Sequence, residues 1–262
     1  FNVLKAMYSK NPVRESIAGD VCDIENITKE MLEKSYNSFY TYENCIIIGC
    51  GDIDSKSFFD RAEHLKLNNS LAEKISIKDS IYKKEYTVTM PVNKPIYHIG
   101  FRDSLQNPLI DRLCISNIIM NILFAKSSEL YENLFNKGLI DESFNFEVLQ
   151  GTDYGCTILK GEGHSYNKIL EETLSQINNY INYGIPKDTV ERIIQKLKTQ
   201  MLFNSENISS LVSFAADCYS KNIEILDIYN NYGKIDVEQI INTMKEQYTY
   251  DNAVLSIVNQ SS

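Results

Sequence analysis

No cluster of lysine and arginine interrupts this sequence, whose net charge is −9 with a pI near 5. A nucleic-acid surface concentrates basic charge on one face or one helix, so that class of partner is excluded, and the acidic balance reads as a solvated surface. No apolar run reaches membrane-spanning length and no signal-peptide pattern opens the chain, so no membrane partner is expected. The six cysteines, at positions 22, 45, 50, 114, 156 and 218, lack metal-site spacing. Cys45 and Cys50 are too far apart for a C-x-x-C pair, and no histidine pair follows them. Most lie in apolar runs and read as small buried hydrophobes of a reduced, cytoplasmic chain. Gly161-Glu162-Gly163-His164 has the glycines of a phosphate loop but not its Lys-Ser/Thr pair, and reads as a turn.

What remains is an ordinary globular balance: 262 residues, 43% apolar and 23% charged, enough for one large domain or two smaller ones. The chain opens inside an apolar, helix-like stretch, Phe1 to Tyr8, as expected of a segment cut from a longer protein. Thr28 is placed to cap a helix carrying Met31, Leu32, Tyr36, Phe39 and Tyr40, with Ile27 and Leu32 at staple positions. Asn44 to Cys50 is short, β-branched and closed by Gly51, which predicts a buried strand. Asp54 caps a further helix with Phe58, Phe59, Ala62 and Leu65 on one face. The polar stretch 66–80 predicts a linker.

Beyond it, Tyr86, Val88 and Met90 alternate as in a half-buried strand, and a second strand runs from the turn at Asn93–Pro95 to about Arg102. Helices are predicted over 108–124 and from Ser128 to Lys137, the latter closed by Gly138. Phe144, Phe146 and Val148 alternate, and Gln150 to Asp153 turns the chain into Tyr154–Lys160, a hairpin. Four helices follow, at 165–183, from Pro186 to about 203, near 207–220 and over 236–248, then a last strand, Ala253–Val258. The order predicts an α+β fold, an antiparallel sheet covered on one face by helices.

Local patterns resemble the inverted zinc-motif peptidases, the family of pitrilysin, insulinase and mitochondrial processing peptidase. Pro12 to Gly19 is similar to the family's "P-x-x-x-x-I-x-G" turn, and Ile24 to Thr28 to its "I-x-x-I-T" helix start. Tyr36, Tyr40 and Asn44 fit "Y-x-x-x-Y-x-x-x-N", and Ile46 to Asp52 an apolar strand ending in G-D. Ser127 to Tyr131 and Lys137 to Leu139 resemble "S-S-R-L-Y … K-G-L". The resemblance implies a processing-peptidase-like sandwich, with residues 1–75 the C-terminal part of a first domain and 76–262 a complete, inactive second domain. It also implies zinc in a full-length parent, held by an H-x-x-E-H helix and a later Glu, and a peptide substrate. His64, His98 and His164 do not form that motif, so this chain is expected to bind no zinc and to hydrolyse nothing alone.

Many relatives place a substrate-holding Arg and Tyr beside "K-G-L"; the aligned positions here are Phe135 and Asp141. No residue is assigned a catalytic, substrate-binding or metal-ligand role. The expected function is the substrate-chamber part of a zinc-dependent metalloendopeptidase. The alternative is a non-catalytic partner or scaffold subunit of a peptidase-family heterodimer. A homo- or hetero-oligomer with a related peptidase-like chain is expected in either case.

The remaining candidates read as structure. His98 lies in a strand without companion ligands, and His64 lies near a helix end. Glu129, Glu132, Glu171 and Glu172 sit on polar helix faces. Many of the 17 tyrosines recur at core-facing helical positions, without interleaved basic residues.

Overall fold

In the computed structural model, which describes residues 2–65, 67 and 79–261, the chain forms two compact units. One comprises Phe1–Glu15, Ile77–Gln200 and Leu226–Ser262; the other comprises Ser16–Ser76 and Met201–Ile225. In chain order the elements are α1 (Asn2–Met7), α2 (Val21–Glu25), α3 (Lys29–Phe39), α4 (Ser55–Glu63), β1 (Glu85–Met90), β2 (Ile96–Arg102), α5 (Leu109–Phe124) and α6 (Glu129–Asn136). There follow β3 (Asn145–Gln150), β4 (Gly155–Glu162), α7 (Tyr166–Tyr183), α8 (Lys187–Glu206), α9 (Ile208–Ser220), α10 (Ile225–Tyr232), α11 (Val237–Gln247) and β5 (Ala253–Gln260).

The first unit is built on a five-stranded sheet in the order β1-β5-β2-β4-β3. Strands β2, β3, β4 and β5 pair antiparallel, and β1 joins β5 in parallel at one edge. The hairpin expected of β3 and β4 is formed. Strands β1 and β2, adjacent in sequence, are separated in space because β5 inserts between them. The two-residue period of β2 sends its side chains to opposite faces. Tyr97 and Phe101 pack on the rings of Tyr166 and Tyr248, with centroids 6.2 and 5.1 Å apart. Gly100 faces α1, where an added Cβ would lie 2.5 Å from the end of Met7.

Helix α5 is mostly apolar, and Cys114, Ile118, Ile119 and Leu123 are fully buried, so it forms the centre of the helical layer. The opposite sheet face carries α1, whose Val3, Leu4, Met7 and Tyr8 pack against Cys156, Ile158 and Val254. Each such fully buried aliphatic side chain contributes roughly 1.5–3 kcal/mol. Gly138 and Gly184, at φ 64° and 84°, follow α6 and α7 in the conformation that glycine tolerates best. Helix α10, which the sequence pattern did not predict, is a short helix burying Ile228 and Tyr232.

In the second unit the predicted caps are formed. Thr28 accepts a hydrogen bond from the Met31 amide and Asp54 one from the Ser57 amide. The strand predicted over Asn44–Cys50 is not. Tyr42–Asn44 is a 3-10 turn, residues 45–50 form no ladder, and Ile46 and Ile47 are 43% and 48% exposed. A strand is stabilised by a neighbour that pairs its amides, and the described residues offer this segment none. The predicted linker, 66–80, lies outside the described residues except for Leu67, Asp79 and Ser80. The Asp79 carboxylate accepts from the amides of Ser9, Lys10, Asn11 and Ser80 and from the Ser9 hydroxyl. Burial alone would raise its pKa, but these donors outweigh burial and hold it below the ordinary carboxylate value.

Candidate functional site

The chemistry-bearing side chains of the first unit converge where β2 ends, β3 ends and α5 begins. Asp103 and Arg112 have side chains 1% and 3% exposed, with Arg112 Nη1 3.7 Å from Asp103 Oδ2. Gln150 bridges them: its Oε1 accepts from Arg112 Nη1 at 2.9 Å and its Nε2 donates to Asp103 Oδ2 at 2.7 Å. Gln247 of α11 donates to Asp103 Oδ1 at 3.0 Å, and so does the Leu105 amide at 2.8 Å. Arg112 Nε and Nη2 donate to the carbonyls of Asn107 and Gly151. Burial lowers the Arg112 pKa and the Asp103 charge opposes that shift. Beside this centre the Tyr8 hydroxyl donates to the Gly155 carbonyl at 2.8 Å and accepts from the Gly155 amide at 3.0 Å, tying α1 to β4.

Such a centre can orient elements, but it cannot act as an acid, a base or a nucleophile. Both charged groups are sealed from solvent and their hydrogen-bonding atoms are engaged. The adjacent thiol is no better placed, because burial pushes Cys156 up to about 12, and Cys114 likewise.

The histidines are dispersed. The Nδ1 of His64 lies 2.6 Å from the Asp60 carbonyl in the second unit, and His164 is exposed in the turn after β4. His98 sits mid-strand on β2, where burial first and the Lys160 charge second push its pKa down to about 4. Among the described residues, no group of three or more His, Cys, Asp or Glu could hold a metal ion.

A helix can offer two ligands at i and i+4, and the polar pair with that spacing on α5 is Asn117 and Asn121. Their amide groups donate to the Leu113 and Asn117 carbonyls, and the Lys196 ammonium donates to Asn121 Oδ1 at 3.0 Å. Neutral amides with a fixed cation on one of them do not fit zinc.

The segment Lys137-Gly138-Leu139 closes α6. Phe135, 43% exposed, stacks on Tyr131 with ring centroids 6.1 Å apart and planes at 11°. Asp141 accepts from the amide and hydroxyl of Ser143, and these bonds lower its pKa. Lys137 pairs with Glu172 of α7 at 2.6 Å. Glu172, read from sequence as a solvated carboxylate, is 39% exposed in that pair. The Asp103–Arg112 centre escaped the sequence reading. Its one signal was a charged pair, Asp111-Arg112, opening an otherwise apolar helix.

The model of the peptidase M16 inactive domain matches residues 26–197. This chain belongs to that family. The uncharacterised zinc protease YmfH of Bacillus subtilis (strain 168) is 25% identical over 276 residues, covering all of this chain and 64% of YmfH. The crystal structure of an M16-like peptidase from Alicyclobacillus acidocaldarius superposes with a TM-score of 0.86 at 22% identity, over 99% of this chain and 64% of that one. A chain of complex III2 from Candida albicans gives a TM-score of 0.82 at 15% identity, over 98% of this chain and 65% of that one. The chain thus spans less than two thirds of the length of these relatives. The M16 assignment agrees with the resemblance carried by Pro12–Asp52 and Ser127–Leu139, and the α+β class stands with it.

Proposed function

We propose that this chain is the non-catalytic part of a zinc-dependent M16 metalloendopeptidase, in which it helps to enclose a peptide substrate. Residues 1–75 are the C-terminal part of the first peptidase-like domain and 76–262 the second. The observation that carries this reading is the match of residues 26–197 to the inactive domain of a peptidase family. The protease name of the Bacillus relative supports zinc in the parent protein. This chain's own residues do two things in that setting. The sealed Asp103–Arg112 centre holds β2, β3, α5 and α11 in register, and the end of α6 and the turn after it present Phe135 and Asp141. No hydrolytic step is assigned to them.

A second reading, a non-catalytic subunit beside a related chain, is favoured by those same two positions. Phe135 and Asp141 carry neither the cation nor the phenol that the family resemblance leads one to expect there. Zinc content and peptidase activity, measured on this chain and on its full-length parent, separate the two. Stoichiometric zinc and cleavage in the parent alone support the chamber role. Absence of both from the parent refutes it and leaves the subunit reading.

A further inference from the structure

A cleft of about 200 Å³ opens between the start of α5 and one face of α11. Whole-ligand sites run to ~300–1,000 Å³, so this one suits a single side chain. Gln106, Asn107 and Asp111 form one wall, above Ile115. The other wall is one helical face, Gln239, Asn242, Thr243 and Glu246. The lining holds two carboxylates and four side-chain amides and no basic residue. Thr243 is only 5% exposed, lines the cleft, and has a hydroxyl that engages no partner among the described residues. Asp111 Oδ1 accepts from Asn231 at 2.8 Å, which fixes its carboxylate.

The walls are anchored from behind by the sealed ion pair. Arg112 follows Asp111 and donates to the Asn107 carbonyl; Gln247 follows Glu246 and donates to Asp103. Leu105, held at φ 60°, is tied to the same carboxylate. Splaying the cleft would break these buried hydrogen bonds, so the two walls are held at a fixed spacing; Asp111 is oriented by Asn231, Gln239 Oε1 already accepts from the Asp236 amide, and Gln106, Asn242 and Glu246 are exposed.

We propose that this cleft binds a guanidinium, presented as the arginine side chain of a peptide. Converging amide, hydroxyl and carboxylate oxygens with a charge deficit suit a planar cation that carries five N–H donors and is weakly hydrated. An ammonium, with three donors and a tighter hydration shell, satisfies fewer of them. The peptide source rests on the chamber role proposed above; the guanidinium chemistry does not.

The test titrates the isotope-labelled 262-residue chain at low salt with N-acetyl-arginine amide, its neutral isostere N-acetyl-citrulline amide, and free arginine. The expected result is backbone shifts confined to 105–115 and 239–247. The citrulline probe should bind at least about fivefold more weakly, and Glu246→Gln should weaken the arginine probe by about fivefold, as loss of an exposed charge partner does. Asp111→Asn serves as a second variant on the opposite wall. Equal affinity for arginine and citrulline probes, or both variants binding as the parent chain does, would overturn the guanidinium assignment. Free arginine binding more tightly than its blocked amide would overturn the peptide source. Selective binding of the amide beside a full-length parent that hydrolyses nothing would sustain the cleft while removing the chamber role.

Discussion

Replacing Asp103 by leucine removes the only negative charge in the buried centre. Its carboxylate takes hydrogen bonds from Gln150, Gln247 and the Leu105 amide, at 2.7, 3.0 and 2.8 Å, and faces Arg112. The leucine variant orphans those three donors and leaves a guanidinium buried among carbonyl and amide oxygens alone. At roughly 1–3 kcal/mol per orphaned group, capped by the ~3–5 kcal/mol seen when one partner of a buried pair is removed, the loss is about 4 kcal/mol. For a domain of this size that lowers Tm by roughly 8–16 °C.

Arg112→Met is milder, about 3 kcal/mol, because Asp103 keeps three donors. The double variant buries no uncompensated charge and should cost about 2 kcal/mol less than the two single losses taken together. Urea unfolding followed by circular dichroism, with m-values compared across the four proteins, measures the cycle. Additivity within about 0.5 kcal/mol would refute the idea that the two charges stabilise each other through Gln150.

Tyr8→Phe removes the donor and acceptor that α1 gives to Gly155 and should cost about 1–3 kcal/mol in the same assay. A neutral outcome would mean that α1 is held by apolar contact alone. His98, held near pKa 4 against an ordinary 6.5, stays neutral in the fold while the unfolded chain takes up a proton between those values. Its share of stability is therefore complete above pH 6.5 and is lost as pH falls towards 4, by no more than about 2 kcal/mol given its partial exposure. The difference in stability between His98→Gln and the parent chain should change across that window, and a flat difference would contradict the assignment. Ile47→Lys, on the exposed apolar segment, should leave the unfolding midpoint unchanged and reduce concentration-dependent association measured by light scattering. A parent chain that is already a monodisperse monomer would remove the premise.

Where local chemistry decides, the sequence was a sufficient guide. Thr28, Asp54 and Ser128 cap helices through their own side chains, within three residues of the amide they bind. Gly138 and Gly184 close helices through their own backbone freedom. The alternation of Tyr86, Val88 and Met90 reports a strand directly, but it does not report the neighbour. Strand β5, which begins 163 residues after β1 ends and 151 after β2 ends, takes the place between them, and no local pattern encodes that. The polar centre failed for the same reason. Gln150 and Gln247 look like ordinary surface amides until the fold places them 38 and 144 residues from their partners Arg112 and Asp103.

The segment Cys45-Ile46-Ile47-Ile48-Gly49-Cys50 is the opposite case, in which sequence and structure disagree over the state of a single stretch. Its composition is that of a central strand, β-branched and uncharged, with none of the lysines or prolines that protect a natural edge. Its backbone here is unpaired, and Ile46 and Ile47 are close to half exposed. On α3 in the same unit Met31, Leu32 and Phe39, and Tyr40 just after it, are each more than half exposed. Intrinsic preference and observed environment therefore conflict in both stretches. A β-branched composition favours a strand only where a neighbouring strand pairs its amides, and among the described residues none does, so the intrinsic preference of residues 45–50 goes unrealised.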